Sequence, residues 1–356
     1  MPNSRLAIAM LFSSKPKGFF VDCNEHGTFV ARTSGANAPF VVEELREVPP
    51  GEATALAETL KQLQPKRSQT GFVHATVGMH SDKRLLRRAT LDVKRVKETG
   101  YLDEVLQTQF RVEPDKYIAA ILNSGDGGEY DTAKATLKDV LFCGVPQEEV
   151  VAFQEGVLAK GIYPERVEIG SVAGLGALVD YLGYTQSKIP TLVLELGLDS
   201  THSFIISAGG VDSSRPIPIG LSSMIPVVQK ELGLKDEESA RKLFFSNTFD
   251  FTGMGALLIQ RLLKELQSSI GFYEVQTGLT IGQVVCTQLP LKLSWIADVI
   301  ATQLAVKTLR LDMVPWLHAR NITLADSPNS LAADPRWLGV FSLMVQYHAS
   351  VPEKKV

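Results

Sequence analysis

Histidines and cysteines, the side chains that most often bind metals or act as catalysts, are scattered along this chain. The six histidines are His26, His74, His80, His202, His318 and His348. No two of them have the spacing of a metal-binding helix, and none lies beside a cysteine pair. The chain also lacks the Gly-x-Ser-x-Gly and His-Glu-x-x-His patterns of hydrolases. The sequence therefore predicts neither a metal centre nor a catalytic residue.

Hydroxyl side chains are more regularly placed, because they occur in two similar turns. Each turn holds two of them: Ser13 and Ser14 in the first, Ser200 and Thr201 in the second. An apolar strand precedes each turn, over 5–11 and 191–197, and two further strands follow. Sliding one segment by 186 positions places Ala9 on Glu195. Such a repeat indicates two similar domains, each opening with a hairpin.

Composition agrees with a two-domain soluble protein. The chain has 356 residues, of which 45% are hydrophobic and 21% charged, and its formal net charge is −3. This balance gives no general attraction to nucleic acid. No window holds the ~18 consecutive apolar residues of a membrane span, and the first residues lack the pattern of a signal peptide. Three scattered cysteines fit a reducing compartment, so we expect a cytoplasmic protein.

Apolar spacing predicts the elements that position the two turns. Residues 18–22 and 28–32 are predicted strands around a turn at 24–27, and 53–63 is a predicted helix. Residues 85–168 form a strand, helix, strand, strand, helix, strand unit. The clearest helix is 256–275, where leucine or isoleucine recurs every four residues.

In this order of elements the chain resembles PilM-type proteins, the actin-like cytoplasmic subunits of type IV pilus assembly. It is also similar to the cytoplasmic part of the type II secretion L subunit. The stretches that carry the resemblance are VLELGLDSTHSFIISAGGV, RPIPIGLSSMIPVVQKELGLKDEESARKL and LLKELQSSIGFYEVQTG. The first resembles the second phosphate hairpin of the family, and the others resemble the turn and helices that follow it.

The resemblance implies an α/β, actin-like (ribonuclease H-like) fold of two domains. Domain one would cover 1–185, with a small inserted α+β subdomain of the SHS2 type at about 85–168. Domain two would cover 186–345, and 346–356 would be a polar tail.

The resemblance also implies a nucleotide cleft, whose motifs are only partly kept here. The family has Asp-x-Gly in the first hairpin, where this chain has Ala9 and Leu11. The second hairpin has Glu195 and Gly197 in the equivalent positions. Two later glycine pairs are also changed: Gly220 is followed by leucine, and Thr287 and Gln288 replace the second pair. Without the first carboxylate and glycine, a magnesium–phosphate group loses its ligands and its space.

We therefore expect a degenerate cleft in a non-enzymatic scaffold with no cofactor. One alternative is an actin-like ATPase, or a chain that binds ATP with magnesium but does not turn it over. The residues that would hold the nucleotide are Ser13, Ser14, Lys15, Gly197, Ser200 and Thr201. A second alternative is an actin-like cell-division protein, but those proteins end in an amphipathic membrane-targeting helix, which the terminal segment here is too short to form.

The resemblance implies a partner as well: the cytoplasmic tail of a PilN-like inner-membrane protein, bound as an extended peptide. Other platform proteins and the motor ATPase of the pilus would be further partners, and a homo-oligomer is also possible on sequence grounds. The resemblance implies that the groove for this tail lies at Val77, Arg88, Leu91, Tyr101, Val105, Tyr117 and Ile118. A run of lysines and arginines over 83–97 is either a solvated face or an anchor for an acidic partner or an anionic membrane.

Overall fold

The computed structural model describes residues 17–64, 71–125, 127–134, 138–246 and 248–349, with the side chains of 327 and 346–349 excepted. The strands are β1 (Gly18–Asn24), β2 (Gly27–Thr33), β3 (Phe40–Val48), β4 (Val73–Met79), β5 (Leu85–Thr90), β6 (Tyr117–Asn123), β7 (Asp139–Pro146), β8 (Ile162–Ile169), β9 (Thr191–Leu196), β10 (Thr201–Ser207), β11 (Gly210–Ile217), β12 (Gln283–Gln288), β13 (Lys307–Thr308) and β14 (Ile322–Leu324). The helices are α1 (Ala53–Leu63), α2 (Tyr101–Phe110), α3 (Gln147–Ala159), α4 (Gly170–Tyr184), α5 (Ile225–Glu231), α6 (Glu237–Ser246), α7 (Gly255–Leu258), α8 (Gln260–Thr277), α9 (Trp295–Leu304), α10 (Met313–Ala319), α11 (Asp326–Asn329) and α12 (Leu338–Ala349). Within these ranges no helix is long and apolar enough to cross a membrane.

Two sheets of the same plan form the two domains. The first has the order β14-β3-β2-β1-β4-β8, and the second has the order β11-β10-β9-β12-β13. In the first, β1 is antiparallel to β2 and parallel to β4. In the second, β9 is antiparallel to β10 and parallel to β12. Both middle strands are buried apolar runs, because helices cover the sheets on both faces.

The repeat inferred from the sequence is thus present, but its alignment was wrong by one strand. The strand equivalent to β9 is β1, at 18–24, and not the segment 5–11 that the sequence alignment chose. Asp22, and not Ala9, therefore occupies the position equivalent to Glu195. Residues 5–11 and the turn after them lie outside the described residues.

The inserted subdomain is smaller than the sequence indicated. Its sheet has the order β5-β7-β6, and α2 packs on it through the buried Tyr101, Val105 and Leu106. The predicted unit 85–168 has the expected elements, but β8 pairs with β4 in the first sheet. The insert therefore ends with β7 at Pro146, and α3 and β8 return to domain one.

The boundary predicted at 345 also changes. Strand β14 pairs with β3 in the first sheet, and α12 packs on α4 and β1. The chain thus crosses back to domain one before Ile322. Helices α4 and α12 form the layer next to the second domain, and their apolar residues share one core with Val193, Phe204 and Val285 of the second sheet.

Candidate functional site

Two carboxylates mark the site, because each middle strand carries one near its C-terminal end. Asp22 lies near the end of β1 and Glu195 near the end of β9, and both are almost fully buried. A buried carboxylate is costly unless it is paired or hydrogen-bonded. Both are paired, and the partners come from one short segment.

That segment is the junction loop, His80 to Arg84, which connects β4 of domain one to β5 of the insert. His80 donates from Nε2 to Asp22 Oδ1 at 2.8 Å. Gln288 Nε2, from the second domain, is 2.7 Å from His80 Nδ1 and donates to it when the ring is neutral. Asn24 Nδ2 donates to the other Asp22 oxygen at 3.1 Å. The histidine therefore links the two domains through a carboxylate on one side and an amide on the other.

Close packing fixes this histidine. A Cβ at Gly170, the first residue of α4, would lie 2.2 Å from His80 Nε2, and one at Gly339 would lie 2.4 Å from Asp22 Oδ2. Glycine is thus required at both positions for the ring and the carboxylate to fit. Burial disfavours the charged form of His80, but the Asp22 carboxylate outweighs it and raises the pKa of His80.

At the other end of the junction loop, Arg84 pairs with Glu195. The guanidinium NH2 donates to Glu195 Oε2, and both side chains are almost fully buried. Ser171 at the start of α4 donates to the same oxygen at 2.8 Å, and Arg84 NH1 donates to the Ser81 carbonyl at 2.7 Å. An arginine from the insert junction therefore neutralises the carboxylate of the second domain.

His202 lies beside this pair on β10. Burial, and then the positive charges of Arg84, Arg87 and His80, lower the pKa of His202 to about 3. It is therefore neutral at physiological pH. Its ring stacks on Phe204, with the ring centroids 6.4 Å apart, as expected for a strand residue.

The tips of the two hairpins touch each other. Glu25, in the turn between β1 and β2, accepts the Leu198 N–H at 2.7 Å through Oε2. The next residue, His26, donates from Nε2 to the Leu196 carbonyl at 2.7 Å. Asp82 of the junction loop accepts from the Ser200 hydroxyl at 3.2 Å. The hydroxyl of Ser200, which the resemblance implies would hold a nucleotide, is thus bonded to a carboxylate of the chain itself, and so is the N–H of Leu198.

The space left in the cleft is small. A cavity of about 50 Å³ lies between the junction loop and the second hairpin. Ligand pockets for molecules of drug size are usually 300–1,000 Å³ in volume. Glu25, Asp82 and Arg84 line this cavity, and each is bonded to a residue of the second domain.

The structure brings together the described part of the predicted cleft. Glu195, Gly197, Ser200, Thr201 and Gln288 all lie around it. Thr201 is fully buried and donates to the Ile219 carbonyl at 2.7 Å. Gly220 packs against the second hairpin, where a Cβ would lie 2.4 Å from the Leu198 carbonyl oxygen, and Thr287 belongs to β12 beside Gln288. Ala9, Leu11, Ser13, Ser14 and Lys15 lie outside the described residues.

Few of the predicted groove residues line a surface. Leu91, Tyr101 and Val105 form the core of the insert, and Val77 is fully buried in the core beneath the first sheet. Arg88 is bonded to Asp139 and to Asp212 of the second domain. The prediction of an accessible groove at Val77, Leu91, Tyr101 and Val105 was wrong, because these apolar side chains are needed for the cores. Tyr117 and Ile118 lie on β6, an edge strand of the insert.

The basic run over 83–97 is largely neutralised within the chain. Besides Arg84 and Arg88, Lys83 pairs with Glu149 at 3.1 Å and Arg95 pairs with Glu104 at 2.8 Å. It is therefore neither a purely solvated face nor a free anchor for an acidic partner.

Comparisons with known proteins place this architecture. No protein-family model matches the sequence, and no curated protein matches it. Among solved structures, a chain of the PilM–PilN type IV pilus biogenesis complex superposes with a TM-score of 0.67 at 16% identity, covering 94% of this chain and 99% of that one.

The chain has an actin-like fold. The fold expected from the resemblance to PilM-type proteins is thus confirmed. A Bacteroides thetaiotaomicron protein with an actin-like ATPase fold aligns with a TM-score of 0.42 at 9% identity, over 90% of this chain and 95% of that one. The cytoplasmic domain of EpsL, an inner-membrane component of the Vibrio cholerae type II secretion system, aligns with a TM-score of 0.38 at 10% identity, over 81% and 95%.

Proposed function

We propose that this chain is a non-enzymatic platform component of a type IV pilus or related secretion machine, and that it binds the cytoplasmic tail of a PilN-like inner-membrane protein. The fold shared with a chain of a PilM–PilN complex supports this proposal. In that role the protein would lie at the cytoplasmic side of the inner membrane, held there by its partner. Further platform proteins and the motor ATPase would be neighbours in the same assembly.

The observation that carries the proposal is the open edge of β6. This strand pairs with β7 on one side, and in the described part of the insert its other edge meets only a bridge between Leu122 and Glu129. Ile118, Ala119 and Ala120 are exposed, and more than half of the Ile118 side chain is accessible. An apolar edge with unpaired backbone groups is a template for an added strand.

The backbone directions show where a peptide would add. Tyr130 N–H donates to the Ile121 carbonyl and Asn123 N–H donates to the Gly128 carbonyl, so the odd-numbered residues of β6 face the outer edge. By the same alternation, the N–H and C=O of Ala119 face outward beyond that bridge. An extended tail would pair there, and its alternate apolar side chains would contact the exposed Ile118.

The cleft supports the non-enzymatic part of the proposal. An ATPase needs a carboxylate that is free to organise Mg²⁺ and its waters. Here Asp22 is bonded to His80 and Asn24, and Glu195 is bonded to Arg84 and Ser171. Both oxygens of Asp22 and the Oε2 oxygen of Glu195 are therefore engaged within the chain.

The test is a calorimetric titration of the purified protein with a peptide that copies the cytoplasmic tail of the PilN-like protein from the same organism. Ala119→Pro removes the outward N–H, while the β6–β7 hydrogen bonds stay intact. We expect this variant to lose at least tenfold in affinity, because a strand addition depends on main-chain bonds. Ala119→Ser keeps the N–H and is the matched control.

The outcomes separate the parts of the proposal. Equal binding by wild type and Ala119→Pro would rule out the β6 edge as the site. No binding of the tail to wild type would refute the proposed function. Circular dichroism of both variants checks that the fold is unchanged.

A further inference from the structure

We propose that this chain carries a built-in replacement for a nucleotide: its own charged side chains occupy the cleft and hold the two domains together without any ligand. The inference goes beyond the proposed function, because it concerns how the domains are held and not what the insert binds. It rests on three sets of contacts.

The first set is at the hairpin tips. Glu25 presents a carboxylate to the Leu198 N–H at 2.7 Å, as an anionic ligand would. A Cβ on Gly197 would lie 3.0 Å from the same carboxylate oxygen, so the glycine leaves room for this anion. Backbone N–H groups in such turns form anion sites. The first hairpin therefore supplies the anion that the second hairpin binds.

The second set is the junction loop. All five of its residues are bonded outside the loop. His80 is bonded to Asp22 and Gln288, Asp82 to Ser200, and Arg84 to Glu195. Ser81 and Lys83 are both bonded to Glu149. Three of them, His80, Asp82 and Arg84, bond to the second domain, while the loop itself begins in domain one. The loop thus connects the two domains through hydrogen bonds and an ion pair, at the position where the phosphates of a nucleotide would lie.

The third set is on the far side of the insert. Strand β5 lies against β11, the edge strand of the second sheet. Ser214 donates to the Leu86 carbonyl at 2.6 Å, Arg88 NH1 donates to Asp212 at 3.2 Å, and Val211 N–H donates to the Ser124 carbonyl at 3.2 Å. The insert is therefore fixed to the second domain as well as to the first.

Together these contacts make the closed arrangement independent of nucleotide. In an actin-like protein that uses ATP, the ligand joins the two hairpins; here they meet directly. Binding ATP would require Glu25, Asp82 and Arg84 to leave their partners. Glu195 would then stay buried without its arginine, and an unpaired buried charge is costly in free energy.

Hydrogen exchange of the amides between β9 and β10 tests the proposal in the full chain. Glu25→Ala removes the internal anion, and Glu58→Ala, an exposed position on α1, is the control. We expect Leu198 N–H to exchange about tenfold faster or more in Glu25→Ala, as fits the loss of one hydrogen bond to a charged acceptor, and at an unchanged rate in the control. In wild type, 2 mM ATP with 5 mM Mg²⁺ (about physiological levels) should change neither this rate nor the unfolding temperature.

Two results would overturn the proposal. An unchanged exchange rate in Glu25→Ala would show that Glu25 does not hold the second hairpin. Slower exchange at Leu198 or a higher unfolding temperature in wild type with magnesium and ATP would show that a nucleotide still takes the cleft. Glu25 is exposed, so its replacement leaves the core intact and the test does not depend on a destabilised variant.

Discussion

The pair of Arg84 and Glu195 gives the sharpest test of the cleft. Arg84→Met keeps the length of the side chain and removes its charge, which leaves Glu195 buried with only Ser171 as a hydrogen-bond donor. Removing one partner of a buried ion pair usually costs about 3–5 kcal/mol. Urea unfolding followed by circular dichroism should therefore show a midpoint lower by about 1 M or more, at a slope of ~3 kcal/mol/M.

A second variant separates the charge from the packing. In Arg84→Met/Glu195→Gln no charge is left unpaired, and Ser171 can still donate to the amide oxygen. We expect the double variant to be about 2 kcal/mol more stable than the single variant, because replacing both partners of a buried pair is often close to neutral. A loss below about 1 kcal/mol in Arg84→Met, or a double variant less stable than the single one, would refute the assignment of this pair as a buried linkage.

Three further predictions concern a histidine beside the cleft, the core of the second domain and the contact of the insert with that domain. Between pH 6.5 and 3 the unfolded chain binds a proton at His202 that the folded chain does not bind, so the free energy of unfolding falls as the pH is lowered. The expected loss at pH 5 is ~2 kcal/mol. Urea unfolding at pH 7.5 and at pH 5 measures it, and the loss should be smaller in His202→Gln. Phe244→Ala, in the fully buried face of α6, should cost about 3–5 kcal/mol in the same assay, and a cost below 1 kcal/mol would contradict the packing of the second core. Arg88→Ala removes a partly exposed ion pair with Asp212 and should lower the free energy of unfolding by no more than about 1 kcal/mol. A loss as large as that of Arg84→Met would mean that the contact of the insert, and not the cleft, holds the two domains together.

Much of the fold could be predicted from the sequence, because apolar spacing is a local property. Helix α1 has the bounds that leucine spacing predicts, and β6, β9 and β12 lie where apolar runs end at turns. The first helix of the unit predicted over 85–168 begins only at Tyr101, since Gly100 adopts a left-handed conformation with φ of 84°. Helix α4 was missed because its glycines lower helix propensity, but tertiary packing outweighs propensity there: Leu175, Leu178 and other apolar side chains are fully or almost fully buried.

The site was harder to predict, because its residues are joined by topology and not by spacing. Asp22 and Asn24 form an Asp-x-Asn that corresponds to Glu195 and Gly197, but an earlier apolar run with two serines offered a more obvious alignment. The recognised hairpin turn at 24–27 was the available signal, since the strand before it pairs with β4 in the same way as β9 pairs with β12. Nothing in the local pattern of the junction loop indicated that Arg84 reaches a carboxylate 111 residues away.

The junction loop also determines how the insert and the cleft can influence each other. Arg84 directly precedes β5, the first strand of the insert, and its guanidinium neutralises Glu195 in the second domain. A rotation of the insert therefore moves Arg84, and moving Arg84 exposes a buried charge. In the opposite direction, the pairing of Glu195 restrains the sheet whose outer strand, β6, offers the open edge. A partner peptide that adds to β6 thus meets an insert held in place by charge pairs of the same chain, so its affinity should be the same with and without ATP.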